Sequence, residues 1–193
     1  GGFNNNRPMR AMEENLCRRS TLFRDLKGIK YSLKHGKGKK DYNLHLNKVV
    51  ITDSTFYYDS TIFDSATNSD YSHPYKQSHQ VPVLSIASPD MKGKFNKSTW
   101  NSTKSRYENK MKIYWETVLQ ATIKRALEKN IAPKIIAVPP GDFVKSGRLG
   151  PKTIDPELVE CAAKALKAVL DSGNYNGVQI HFARQTNETE IFK

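Results

Sequence analysis

The last third of the chain most constrains what it can fold into. Pro133 stops a long helical pattern, and the apolar run KIIAV from Lys134 to Val138 opens directly into the loop PPGDFVKSGRLGP. Asp155 caps a helix that carries Pro156 in its first turn and Leu158, Ala162, Leu166 and Val169 inside; Gly173 and Asn174 end it. GVQIHFA, from Gly177 to Ala183, follows as a strand. With the segments upstream, the order of elements reads helix, strand, strand, helix, strand, helix, strand. The chain is therefore predicted to be an α/β protein whose sheet is at least partly parallel and layered against helices.

The upstream segments fit that class. VVITDSTFYY, from Val49 to Tyr58, is β-branched and aromatic enough for a strand, and the stretch after it is rich in turn formers. VPVLSIA, from Val81 to Ala87, ends at Ser88 and Pro89 and reads as a strand buried on both faces, and KIIAV reads as a second buried strand. A helix is expected from about Arg106 to Asn130, with Met111, Trp115, Val118, Thr122, Ile123, Ala126 and Leu127 on one side. Near the start, Met12, Leu16, Phe23 and Leu26 form the apolar stripe of a helix whose first turn suits Pro8. Two basic surface loops, 27–48 and 90–105, interrupt these elements. A single domain over residues 1–193 is expected, long enough to bury roughly 70% of its unfolded surface.

No apolar run approaches the roughly 18 to 20 residues needed to cross a bilayer, and GGFNNNRPMR lacks the apolar core of a secretory signal, so no membrane partner is expected. Cys17 and Cys161 lie far apart, and His35, His45, His73, His79 and His181 show no ligand spacing; neither a disulfide framework nor a metal site is indicated. Buried thiols suit a reducing compartment, and a secreted protein is the other reading. Thirty-one Lys and Arg against nineteen Asp and Glu leave a net charge of +12, which favours anionic partners. The Lys-rich loop 34–40 and the region of Lys92, Lys94, Lys97 and Lys104 read equally as polyanion contacts or as solvated basic faces.

The start of the chain carries the most chemistry. Gly1 and Gly2 open a flexible loop that leads to a helix bearing Glu13 and Glu14. Glycine loops with free N–H groups at a helix start cradle phosphate oxygens, which would suit a diphosphate. Adjacent carboxylates on a helix point about 100° apart, so one can face a cleft while the other braces or binds a second group. Their repulsion raises one pKa, as a proton donor in glycosidic chemistry requires. Taken alone, such a pair is also a common partner of the helix dipole. Glycines at this place in an α/β domain usually follow a strand, so strands are expected from a complementary N-terminal segment or a second chain.

The segment GGFNNNRPMRAMEENLCRRSTLF resembles the signature of the poly(ADP-ribose) glycohydrolase family, a branch of the macrodomains, in which a glycine triplet precedes Gln-Glu-Glu by six to eight residues. Gly1, Gly2 and Phe3 stand at the triplet, and Met12, Glu13 and Glu14 at Gln-Glu-Glu; NLCRRSTLF is similar to the continuation in bacterial-type members. VVITDSTFYYD, VPVLSIASPD and KIIAVPPGDFVKSG follow in the family's order, with Gly141 and Phe143 at the turn and ribose-covering positions of the second phosphate loop. Phe3, Met12, Pro139 and Pro140 depart from the pattern, and each proline removes a backbone donor.

The resemblance implies a macrodomain-like three-layer α-β-α sandwich with a mixed, partly parallel sheet whose N-terminal part is missing from this chain. It also implies an ADP-ribose-binding glycohydrolase acting on poly(ADP-ribose) or on an ADP-ribosylated protein. Glu14 would protonate the leaving group and then activate water, while Glu13 would bind a ribose hydroxyl. Gly1, Gly2, Phe3, Gly141, Asp142, Phe143 and Val144 would line the ligand, and the chemistry needs no metal and no cofactor. Two other readings stand beside this one: a non-catalytic ADP-ribose-binding module, and a basic module for nucleic acid or an acidic protein.

Overall fold

The structure, a computed structural model, describes residues 16–17, 20–27, 48–58, 77–137 and 144–182. The chain divides into two compact units, one holding the described parts of residues 1–32 and 50–83, the other those of 33–49 and 84–193. Its described elements are mixed α and β, as the sequence predicts, and their order is helix, strand, strand, helix, strand, helix, strand.

In the first unit, Leu16 and Cys17 are helical, but Ser20 is not and forms an isolated antiparallel bridge with Phe56. The helix expected as far as Leu26 is thus broken. The Ser20 hydroxyl causes the break: it donates to the Leu16 carbonyl at 2.6 Å and accepts from the Leu22 N–H at 3.1 Å, ending one helix and starting the next. The new helix, α1 (Leu22–Lys27), has its own register. Leu22 becomes the buried residue, and Phe23, expected on the inner stripe, is 42% exposed. Strand β1 (Val49–Tyr58) has the predicted bounds and pairs with β2 (Gln77–Ile86) in a two-stranded sheet. The second strand begins earlier than Val81, and its residues 78–86 are exposed or half-buried. Burial on both faces is therefore corrected: an apolar run marks a strand, and its cover depends on what packs over it.

The second unit is built on two helices and a parallel strand pair. Asn96 accepts from the Ser98 N–H and starts a single 3₁₀ turn, Lys97–Thr99, that runs straight into α2 (Trp100–Lys129). The helix thus starts six residues before the expected Arg106, and the basic loop is correspondingly shorter. Asn130 ends it in the left-handed region (φ 53°, ψ 48°). Tyr107, Met111, Trp115, Val118, Leu119, Thr122 and Ala126 are buried. Ala126 takes the inward position after Thr122, and Leu127, about 100° further round the helix, is 76% exposed, against expectation.

Strands β3 (Lys134–Ala137) and β4 (Gln179–Phe182) pair in parallel, Lys134 opposite Gln179 and Ala137 opposite Phe182, on either side of α3 (Pro156–Asp171). The order strand, helix, strand is the expected one, and the parallel pairing agrees with a partly parallel sheet. Ala137 is buried, and Ile135, Ile180 and Phe182 pack on the helical core, while Lys134, Ile136, Gln179 and His181 are exposed. The reading of KIIAV as a fully buried strand is corrected to a half-buried one with period-two alternation. Leu158, Val159, Ala162, Ala165, Leu166 and Val169 of α3 close the core against α2, and Trp115 meets Phe182 edge-on at 6.2 Å. Cys17 and Cys161 are both buried and not joined in a disulfide.

Candidate functional site

Most residues of the predicted site (Gly1, Gly2, Phe3, Glu13, Glu14, Gly141, Asp142 and Phe143) lie outside the described residues. The described chain that flanks them is firmly held on both sides.

Behind the glutamate pair, the Ser20–Thr21 corner is stitched to β1. The Thr21 N–H donates to the Thr55 carbonyl at 3.0 Å, and the Thr55 N–H returns to the Thr21 hydroxyl at 3.0 Å. That hydroxyl donates to Asp25 Oδ2 at 2.6 Å, and the fully buried Ser54 donates to the same oxygen at 2.9 Å. Hydrogen bonds from Thr21 and then Ser54 hold the Asp25 carboxyl below its usual range. An ionised carboxylate so engaged is an anchor. It fixes residues 20–25 against the strand, and it leaves Asp25 little capacity for proton transfer.

Beyond the second glycine loop, Val144 is fully buried. Its side chain belongs to the core, and its carbonyl accepts from the Asp155 N–H at 3.0 Å, so what it can offer a ligand is backbone. Ser146 and Arg148 then converge on Asp155, the helix cap. Asp155 is fully buried; Oδ2 accepts from Ser146 Oγ at 2.5 Å and Arg148 Nε at 2.9 Å, and Oδ1 from Arg148 Nη2 at 2.7 Å. Burial alone would push this carboxyl up; the Arg148 and Ser146 hydrogen bonds outweigh it and hold it below the ordinary value. Arg148 also pairs with Glu157, whose Oε2 takes Lys104 Nζ at 2.6 Å and Trp100 Nε1 at 3.0 Å. The guanidinium carbon lies 5.3 Å from the Trp100 ring centroid. This network joins the loop after Val144 to the starts of both helices.

Sequence reasoning found Asp155 as a cap and missed the rest of the network. The only local sign was the Asp-Pro-Glu opening of α3; the Arg148 fork and Lys104 meet Glu157 only through tertiary folding.

A groove of about 430 Å³ between α2 and α3 is lined by Lys104, Glu108, Lys112, Glu157, Cys161 and Lys164, among others. Its charges are spent on one another, in the pairs Lys104–Glu157 at 2.6 Å, Lys112–Glu108 at 3.3 Å and Lys164–Glu160 at 2.8 Å. Burial pushes the Cys161 thiol up, away from the reactive thiolate. Among the described residues, no cluster of His, Cys, Asp or Glu could hold a metal ion, and no helix is long and apolar enough to cross a membrane. Comparison with protein-family models, curated proteins and solved structures returns no match.

Proposed function

We propose that the chain is an ADP-ribose glycohydrolase of the macrodomain-like, three-layer α-β-α class. The observation that carries this reading is the spacing of Gly1 and Gly2 from Glu13 and Glu14, in a chain whose later strands and second glycine loop follow in the same order. The parallel β3–α3–β4 unit supports it. In open α/β sheets, ligands bind outside the carboxyl ends of the strands, and residues 138–143 join the carboxyl end of β3 to the buried Val144.

In this reading the diphosphate lies on backbone N–H groups around Gly1, Gly2 and Gly141–Val144. Phe143 packs on the ribose, and Phe3 and Asp142 complete the lining. Glu14 donates its proton to the oxygen of the departing group as the glycosidic bond breaks, and its carboxylate then takes a proton from the attacking water. Glu13 holds a ribose hydroxyl. The Thr21–Asp25–Ser54 anchor holds the described chain from Thr21 to Asp25 on β1.

Calorimetric titration with ADP-ribose, together with turnover of an ADP-ribosylated substrate, tests the reading. Glu14→Gln is expected to bind ADP-ribose within a few fold of wild type and to lose at least ~100-fold in turnover. Hydrolysis near the wild-type rate would refute the mechanism. Retained binding with no turnover in the wild-type protein would leave the non-catalytic binding module.

A further inference from the structure

The second unit carries a basic surface that neither the glycine loops nor the glutamates explain. After buried Met91 the chain turns at Gly93 (φ 68°) and lies alongside the segment that follows Val144. The Gly93 N–H donates to the Lys145 carbonyl at 3.3 Å and the Phe95 N–H to the Ser146 carbonyl at 3.0 Å. The two backbones touch at their glycines, because a Cβ on Gly147 (φ 85°) would stand 3.7 Å from the Gly93 Cα. A tight hairpin through the Gly147–Gly150 bridge then returns the chain to Asp155. Two distant stretches, 90–99 and 144–155, thereby become one surface.

Together they carry six bases, Lys92, Lys94, Lys97, Lys145, Arg148 and Lys152, and two acids, Asp90 and Asp155. Asp155 is buried and committed to Arg148 and Ser146, and Asp90 accepts the backbone N–H of Lys92 at 2.9 Å. The nearby Glu157 is taken by Arg148, Lys104 and Trp100. Lys92, Lys94, Lys97 and Lys152 are exposed, and none makes an ion pair with a described residue. Beside them Phe95 presents a ring that is 38% exposed, braced edge-on by Trp100 at 5.4 Å.

We infer that the surface formed by residues 92–97 and 145–152 binds the phosphate backbone of single-stranded nucleic acid without regard to sequence. Lysines at 92, 94 and 97 form a run of single, flexible point charges, which suits a chain carrying one phosphate per nucleotide. An ADP-ribose polymer presents its phosphates in pairs separated by two sugars and matches such a run less well. One exposed, braced aromatic ring gives an unpaired base a face on which to stack, a face that a duplex cannot use. The absence of further exposed aromatics along the two segments leaves no array with which to read a sequence. This inference does not depend on the glycohydrolase reading.

The test uses the full chain, a fluorescently labelled thymidine oligonucleotide and anisotropy titrations between 50 and 200 mM salt, with circular dichroism to confirm folding. Wild type should bind, and its affinity should fall steeply with salt. The triple variant Lys92→Gln, Lys94→Gln, Lys97→Gln should bind at least about tenfold more weakly, with a log–log salt slope shallower by about 2, the value for three phosphate contacts on a single strand. Phe95→Ala should weaken binding at least about fivefold at every salt concentration, because stacking is not a counterion effect. A duplex of the same length should lose nothing on Phe95→Ala. Wild-type affinity in the triple variant would overturn the inference. So would tighter binding of an ADP-ribose polymer than of the oligonucleotide at equal phosphate concentration, which would assign the surface to that polymer.

Discussion

Replacing Asp155 should destabilise the second unit more than replacing any other single polar residue in it, and the structure sets the size of the loss. The carboxylate does three jobs at once: it caps α3 by accepting from the Glu157 N–H at 3.2 Å, receives the Arg148 fork, and takes the Ser146 hydroxyl. Losing the cap costs about 1 kcal/mol. Breaking a buried ion pair costs about 3–5 kcal/mol, but Arg148 is 24% exposed and keeps Glu157, so about 2 kcal/mol is the fitting share. Ser146, 1% exposed, loses its acceptor, at about 1 kcal/mol. These contributions share partners and add incompletely, so Asp155→Ala should lose about 3–4 kcal/mol. Asp155→Asn keeps a good cap residue and should lose about 2 kcal/mol. Urea denaturation followed by tryptophan fluorescence reads this unit directly, because Trp100 and Trp115 both lie in its core. With a slope of about 2 kcal/mol per molar urea, Asp155→Ala moves the midpoint down by about 1.5–2 M. Since the folded carboxyl is held below its unfolded value, its stabilisation is present above about pH 4 and is lost as pH falls through the lower folded value. Asp155→Asn should flatten that acid limb. A loss under about 1 kcal/mol for Asp155→Ala, with an unchanged acid limb, would show that the network does not hold the unit together.

Three further outcomes are expected. Leu158→Ala removes a fully buried side chain from the α2–α3 contact and should cost about 2–5 kcal/mol in the same urea assay, with little change in slope. Asn130→Ala should cost about 1 kcal/mol because its left-handed backbone penalises a Cβ that cannot bond locally, whereas Asn130→Gly should be neutral or slightly stabilising; equal losses would remove the conformational explanation. Under the proposed mechanism, Glu13→Gln should reduce turnover of an ADP-ribosylated substrate less than Glu14→Gln does, and equal losses in steady-state assays would erase the proposed division of roles between the two carboxylates.

What was legible in the sequence follows a physical line between local and distant causes. Strand β1 and the capped helix α3 were readable because β-branched density and the Asp155–Pro156 start are local signals. The start of α2 was not, because it depends on a 3₁₀ turn nucleated by Asn96 among polar residues that carry no apolar period. Ser20 reads as an interior helical position because the break rests on a hydroxyl bond to Leu16 and a backbone bridge to Phe56, and only the first of these is local. Strand cover was misjudged for β2 and β3 for a related reason: an apolar run states that a strand can be buried, while Ile136 at 71% exposure shows that cover is decided elsewhere in the chain. The site divides in the same way. The proposed glycines and glutamates rest on their spacing alone and lie outside the described residues, while which basic residues remain available to a partner is not legible in the sequence at all. A net charge of +12 says nothing about where carboxylates are consumed. Only when Asp155 and Glu157 are seen to be taken by Arg148, Lys104, Ser146 and Trp100 do Lys92, Lys94, Lys97 and Lys152 stand out as charges without an ion pair among the described residues, next to a braced phenylalanine. The basic surface is thus a product of how the acids are spent, and its strength should respond to Asp155 and Glu157 as well as to the lysines themselves.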